Sequence, residues 1–409
     1  MTHSRSIRSA FLWSYIGMAV NVFCQFSFSM ILTRKLGSAP YGQMAIAMVP
    51  ISFGALIANA GFGAGLIQRQ ILTNDLIRSC VWWQILFGVV QALLILLLSI
   101  PFVHLMHAEG SLWVLMCTAI VCPLNAACQI PNAILRRSLK FREIQLINII
   151  SMIIANTFFG IPLAIFGMGA WALVATTIAQ SMLTTIMLWR LALPPWSLRR
   201  QPWPGSIGRF GGSVVGLNLA NWGIANCETV VLSILLGPVA LGAYNRLGVI
   251  STGLVSVLLP PLQSISLVHH SGQQKDTKKV RIEWMRTTII CAFSFLFLII
   301  PMLIFPKIVI AYTLGPKMND YSEVLRALSF AMVPNAMMCV CGPVLQALGH
   351  PEKELHAQVA ILAITIPALL GAASTGNILV FTYMVAAIAW LRCLILITIT
   401  VKFLWSPCV

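Results

Sequence analysis

The chain has 409 residues, 59% of them hydrophobic and only 9% charged, with a mean hydropathy of +0.90. A water-soluble domain carries roughly 25% charged residues, so composition excludes an ordinary soluble fold. The formal charge of +16 is no nucleic-acid signature either, because Lys and Arg gather at the ends of apolar runs, at the depth of lipid headgroups.

A hydrocarbon core of about 30 Å takes about 20 helical residues to cross. Apolar runs of that length recur along the chain, and alternating polar and apolar positions, the mark of a membrane barrel, do not. About twelve spans are predicted, centred near residues 22, 54, 93, 124, 155, 181, 222, 254, 298, 336, 365 and 390. The first run, Phe11 to Leu32, follows a basic leader with Arg5 and Arg8. It is too long for a signal-peptide core and is read as retained.

That run ends in the stretch ILTRKLGSAPYG, Ile31 to Gly42, which recurs as VLSILLGPVALG, Val231 to Gly242. Leu36, Gly37 and Gly42 match Leu236, Gly237 and Gly242 without a gap, and the same offset pairs Asn21 with Asn221. In both copies a helix-length apolar segment precedes the turn and another follows, the pattern of an internal repeat. Pro131 before Ile134 and Leu135, echoed by Pro343 before Val344 and Leu345, is a weaker second match.

Further along, Gly61, Gly63, Gly65 and Gly160 suit close helix packing, and Gly167 with Gly169 suits a tight turn. Pro50, Pro123, Pro162, Pro260, Pro261, Pro301 and Pro334 fall in or near spans, where they remove backbone hydrogen bonds and kink helices. Residues 194–208, rich in Pro, Trp and Arg, read as a linker lying along the cytoplasmic surface. It divides an N-terminal six-helix lobe, residues 1–193, from a C-terminal one, residues 209–409.

Counted on alternate sides of the twelve spans, one side carries only Arg34, Lys35, Lys307 and Lys317, and the other nearly all remaining cations. That asymmetry predicts both termini in the cytoplasm. Six spans per half means that both halves start on the same side. The expected architecture is therefore an all-α polytopic membrane protein of two like-facing lobes, related by a pseudo-twofold axis along the membrane normal. The two lobes are expected to enclose a wet, positively lined passage.

With ten acidic residues in the chain, almost all at loop or helix ends, no catalytic constellation can be assembled. No P-loop, HExxH or Gly-x-Ser-x-Gly motif occurs, and neither an enzyme nor a cofactor is expected. The eleven cysteines lie mostly in apolar runs, Cys339 and Cys341 among them, and form no CxxC pair. His104, His107 and Glu109, and His350, Glu352, Glu354 and His356, are read as solvated loop clusters, with no metal site.

Charges inside spans are the stronger signal, because an ionisable group in hydrocarbon costs several kcal/mol unless it faces water or a partner. Glu228 in span seven and Arg246 in span eight are the leading pair, either bridging each other or serving a ligand or ion. Arg392 in span twelve is a further cation, with snorkelling as its alternative, and Arg326 and Arg34 lie nearer the outer interface, where snorkelling is the default. Asn21, Gln25, Asn156, Gln180, Asn218, Asn221 and Asn226 add uncharged polarity, which either joins helices or lines a sugar-compatible cavity.

Five stretches carry a family resemblance: LTRKLGSAPYGQMAIA, GFGAGLIQR, IPNAILRRSLKFR, GMGAWALVA and NCETVVLSILLGPVALGAYNR. Each is a loose pattern, but in this order they resemble the polysaccharide transporter branch of the multidrug/oligosaccharidyl-lipid/polysaccharide exporter superfamily. The likeness runs from about Trp13 to beyond Leu348. It implies an inner-membrane flippase that moves undecaprenyl-diphosphate-linked oligosaccharide by alternating access, for O-antigen or exopolysaccharide synthesis.

Under that resemblance Arg246, Arg34 and Arg392 are candidates for the diphosphate. Asn21, Gln25, Asn218 and Asn221 are candidates for the glycan, and Glu228 for ion coupling. The expected partners are the lipid-linked oligosaccharide, membrane lipids, and a polysaccharide polymerase with other assembly proteins; nucleic acid is not one. Glu228 stands where the branch usually has aspartate, and two further helices common in the branch are not expected here. The alternatives are a multidrug or cation antiporter of the same superfamily, a polytopic polysaccharide polymerase or ligase, and a structural scaffold.

Overall fold

The computed structural model describes residues 2–58, 62, 66, 73–138, 140–197, 199, 201–204, 222–223, 226–251, 277–347 and 351–405. Every regular element among them is helical, and the chain divides into two compact units, Met1–Trp222 and Gly223–Val409.

In the first unit the elements are α1 Thr2–Leu36, α2 Ala39–Ala58, α3 Asn74–Leu105, α4 Leu112–Thr118, α5 Val121–Arg137, α6 Phe141–Ala155, α7 Ile161–Ile165 and α8 Ala170–Ala192. A π-helical turn, Asn156–Gly160, joins α6 to α7, so that 141–165 forms one span. Gly167 and Gly169, both at positive φ, make the tight turn into α8. The second unit holds α9 Asn226–Ser251, α10 Thr277–Ile304, α11 Pro306–Thr313, α12 Ser322–Phe330, α13 Met332–Ala347, α14 Pro351–Ala373 and α15 Ile378–Trp405. Eight of the described helical stretches are long and apolar enough to cross a membrane.

Lipid, not water, faces the outside of these helices, and α3 shows how the sequence encodes it. Gln84, Gly88, Gln91, Ile95 and Ser99 recur at helical spacing and are buried, while Leu93 and Leu97 stand 59% and 75% exposed. The small and polar side chains point inward and the leucines outward, the reverse of a soluble amphipathic helix. At Gly88 a Cβ would lie 2.5 Å from the Cβ of Ala126, so α3 and α5 approach nearly backbone to backbone.

The repeat is visible in the backbone. Gly37 and Gly237 have φ of +76° and +82°, the left-handed region that side chains disfavour. Gly37 separates α1 from α2, its N–H bonding back to the Thr33 carbonyl at 2.9 Å. Gly237 reverses the stretch Asn226–Ser251 into two arms. In a straight helix Glu228 and Tyr244, 16 residues apart, would be separated by roughly 24 Å. Instead the Tyr244 hydroxyl donates a hydrogen bond to Glu228 Oε2. The arms therefore run antiparallel, as spans seven and eight of the predicted ladder require.

Replacing Gly237 by valine is expected to cost about 1–2 kcal/mol or more through the left-handed backbone. The purified protein should melt several degrees lower in detergent. Gly248→Ala, on the second arm with open space around it, should leave the melting temperature unchanged. Equal melting of both variants would refute the reversal.

The predicted linker falls inside the first unit, where its described residues are non-helical and pinned by tryptophans. Trp203 packs edge-on against Trp83 at 4.9 Å and Phe62 at 5.6 Å, and Trp196 meets Trp189 at 6.2 Å. The Trp83 indole N–H donates to the carbonyls of Gln201 and Pro202, each at 3.2 Å. A half-buried tryptophan still needs a partner for its polar edge, and the linker carbonyls supply it.

Candidate functional site

Two polar clusters lie inside these apolar units, one in each. In the first unit, α2, α3, α5, α6 and α8 converge on a cavity of about 520 Å³. Asn125, Gln129 and Asn132 recur at four- and three-residue steps on α5, and Thr177, Ser181 and Thr184 at the same steps on α8. Each set therefore forms a stripe along one helix face. Gln91, Asn148 and Gln180 add to the polar lining, and among the described residues no charged or aromatic side chain lines the cavity.

The stripes are held against each other by the backbone. Pro131 has no N–H to give the Ala127 carbonyl one turn earlier. The Trp189 indole N–H fills that vacancy from α8 at 2.9 Å, and the Thr185 hydroxyl bonds to the Leu124 carbonyl at 3.1 Å. Gln91 forms the wall between this cavity and an apolar one of about 270 Å³ lined by Phe53, Phe87, Val90, Leu94 and Leu98. Its amide donates to the Ile51 carbonyl at 2.8 Å, which holds α3 to α2.

In the second unit Glu228 and Tyr244 meet across the two arms of α9. The Tyr244 ring lies edge-on to Phe381 of α15, with centroids 5.9 Å apart. Arg392, also on α15, is within electrostatic range of Glu228 and points its guanidinium at the Gln358 side-chain oxygen of α14 at 3.4 Å. Four helical segments thus contribute to one carboxylate-centred cluster in which a hydroxyl, a guanidinium and an amide offset the cost of placing charge in the membrane.

Among the described residues, the predicted site residues Glu228 and Arg392 come together. Tyr244, not Arg246, is the side chain that hydrogen-bonds Glu228 from the opposite arm; Arg246 is half-buried two residues further on. Arg392 is half-buried where α15 packs on α14, with its guanidinium 3.4 Å from the Gln358 side-chain oxygen. Arg34 is exposed in the last turn of α1, while Asn21 is half-buried and Gln25 exposed on the same helix, and none of them lines the cavity. Asn218 and Asn221 lie outside the described residues, as do Gly61, Gly63 and Gly65. Gln180 is in the cavity; Asn156 is buried and turns its amide to the Met152 carbonyl at 2.9 Å.

Arg326, expected near the outer interface, has partners of its own in the protein. Its guanidinium is held by both Glu323 oxygens at 2.8 and 2.9 Å and caps the Leu303 carbonyl at 3.1 Å, near the end of α10. A helix end leaves carbonyls without partners, and an arginine on α12 satisfies one. His104 pairs with Glu109 at 3.2 Å, and no group of metal-binding side chains occurs among the described residues.

Sequence reading missed Tyr244, Gln358 and most of the cavity amides. The signal for the amides was present as the four- and three-residue spacing of Asn125, Gln129 and Asn132. The signal for Tyr244 was its distance from Gly237, nearly equal to that of Glu228, which sets both at one depth on opposing arms.

Residues 31–323 match the family described as polysaccharide biosynthesis protein. The succinoglycan biosynthesis transport protein ExoT of Rhizobium meliloti (strain 1021) is 25% identical over 237 residues, covering 57% of this chain and 47% of that protein. The chain thus spans under half the length of that relative. The teichuronic acid biosynthesis protein TuaB of Bacillus subtilis (strain 168) is 23% identical over 352 residues, 84% of this chain and 71% of TuaB. The lipopolysaccharide biosynthesis protein WzxC of Escherichia coli (strain K12) is 20% identical over 84% of this chain and 68% of its own length.

Among solved structures, an inward-facing multidrug resistance MATE family transporter of the MOP superfamily superposes with a TM-score of 0.73 at 14% identity. The superposition covers 97% of this chain and 98% of that one. The lipid II flippase MurJ in an inward closed conformation superposes with a TM-score of 0.73 at 10% identity, over 95% and 86% of the two chains. At such identities the likeness establishes a shared all-α membrane fold.

Proposed function

The chain belongs to the polysaccharide biosynthesis protein family, and on that premise we propose that it is a flippase for undecaprenyl-diphosphate-linked oligosaccharide repeat units. It moves them across the bacterial inner membrane by alternating access, with both termini in the cytoplasm and a polymerase taking up the product. The observation that carries this reading is the cavity of about 520 Å³ within a membrane-embedded unit, lined by amides and hydroxyls. Polar surface in hydrocarbon is costly unless it meets a polar solute. A hydrated glycan is such a solute.

The same lining weighs against the cation antiporter. A cation is recognised by a carboxylate or by the face of an aromatic ring, and among the described residues neither lines the cavity. In the second unit Glu228 serves as the coupling group. Its carboxylate is held by Tyr244 with Arg392 nearby, so binding a proton or sodium ion alters the balance of a buried polar set. Arg392, Arg246 and Arg34 are the cations offered to the diphosphate.

The reading is tested in a deletion strain. Loss of the chain should accumulate lipid-linked single repeat units on the cytoplasmic face, and a plasmid copy should restore polymer export. Units that are flipped but unjoined would instead indicate a polymerase or ligase. A changed drug susceptibility with normal polymer would indicate the multidrug branch.

A further inference from the structure

We propose that the cavity of the first unit is a seat for an electrically neutral sugar residue, and that the charged parts of the substrate are bound elsewhere. The inference rests on the flippase reading and narrows its substrate class.

Among the described residues, the lining contains no Lys, Arg, His, Asp or Glu. A uronic acid carboxylate or a phosphate placed there would lose its hydration with no cation among these residues to replace it. A sugar hydroxyl both donates and accepts, and so does a side-chain amide. Among the described residues, Asn125, Gln129, Asn148 and Gln180 line the cavity and make no side-chain hydrogen bond within the protein. Their donors and acceptors are available to a ligand.

Geometry adds direction. The amide stripe of α5 and the hydroxyl stripe of α8 are fixed by the Trp189 and Thr185 bonds that cross between the helices. Two rails at a set spacing read the positions of hydroxyls around a ring. No aromatic side chain lines the cavity among the described residues, so the polar rails, rather than stacking, which tolerates many sugars, do the reading. At about 520 Å³ the space lies within the roughly 300–1,000 Å³ usual for small-molecule sites.

Cys128 lines the same cavity, its sulfur 3.0 Å from the Thr185 hydroxyl, and serves as a native reporter. In the full chain with Cys128 as its only cysteine, a neutral hexose tetrasaccharide should slow maleimide labelling of that thiol at least fivefold. A tetrasaccharide of equal length containing one glucuronic acid should not. The double variant Gln129→Leu, Gln180→Leu should lose the protection while melting and eluting as the parent does. Equilibrium dialysis of the same two sugars against the unaltered chain makes the comparison without cysteine replacement.

Equal protection or binding by both sugars, or protection that survives the double substitution, would overturn the proposal. Either result alongside restored polymer export leaves the flippase reading standing. Neutral-sugar protection in a chain that neither restores export nor moves lipid-linked units would instead sink the flippase reading and keep the seat.

Discussion

Glu228→Gln is expected to lower polymer export at least tenfold in a flippase-null strain while the protein stays at normal membrane levels. Glutamine has the size of glutamate, and its amide oxygen still accepts the Tyr244 hydroxyl that now bonds Glu228. Fold and packing are therefore preserved, and only the charge and its capacity to bind a proton or sodium ion are removed. Tyr244→Phe makes the opposite change. It keeps the carboxylate and the edge-on ring contact with Phe381 but leaves Glu228 without its hydroxyl donor, a stability loss of about 1–3 kcal/mol. The pair separates coupling from structure. Full export by Glu228→Gln, with the variant confirmed in the membrane, would remove Glu228 from the mechanism.

Arg392 distinguishes charge from shape. Arg392→Ala removes the donor to Gln358, which is only 7% exposed, and the cation near Glu228. Losing a hydrogen bond to a charged group costs about 1.5–3 kcal/mol, so the alanine variant should melt lower and export poorly. Arg392→Lys restores a point charge without the planar fork that grips phosphate oxygens in pairs. If Arg392 meets the diphosphate, the lysine variant should recover most of the stability yet move lipid-linked units at least several-fold more slowly in proteoliposomes. Recovery of both together would confine Arg392 to holding α14, α15 and Glu228 in place.

Both tests turn on partners that the linear chain displays unevenly. Glu228 stands out in an apolar run because bare charge in hydrocarbon is expensive, yet that reasoning names no partner. Arg246 was the expected partner by charge, and Tyr244 takes the place because the reversal at Gly237 sets the register of the arms. Arg392 stands out in its span for the same reason, and only the packing of α15 on α14 shows that it faces Gln358. Asn21 and Gln25 on α1 were expected to meet the glycan, and the cavity is built without them from α2, α3, α5, α6 and α8.

By itself the sequence determined the membrane class, the helical ladder and the repeat with its glycine turns at 37 and 237. These are local properties: an apolar run long enough to cross, and a left-handed residue where the chain reverses. Tertiary structure alone decided which side chains share a site, because a cavity or a buried cluster exists only where separate helices converge. Asn125, Gln129, Asn132 and Gln180 become a sugar-sized polar lining once α5 and α8 are locked side by side, and a turn of either helix about its axis would bury those amides against neighbours or send them into lipid.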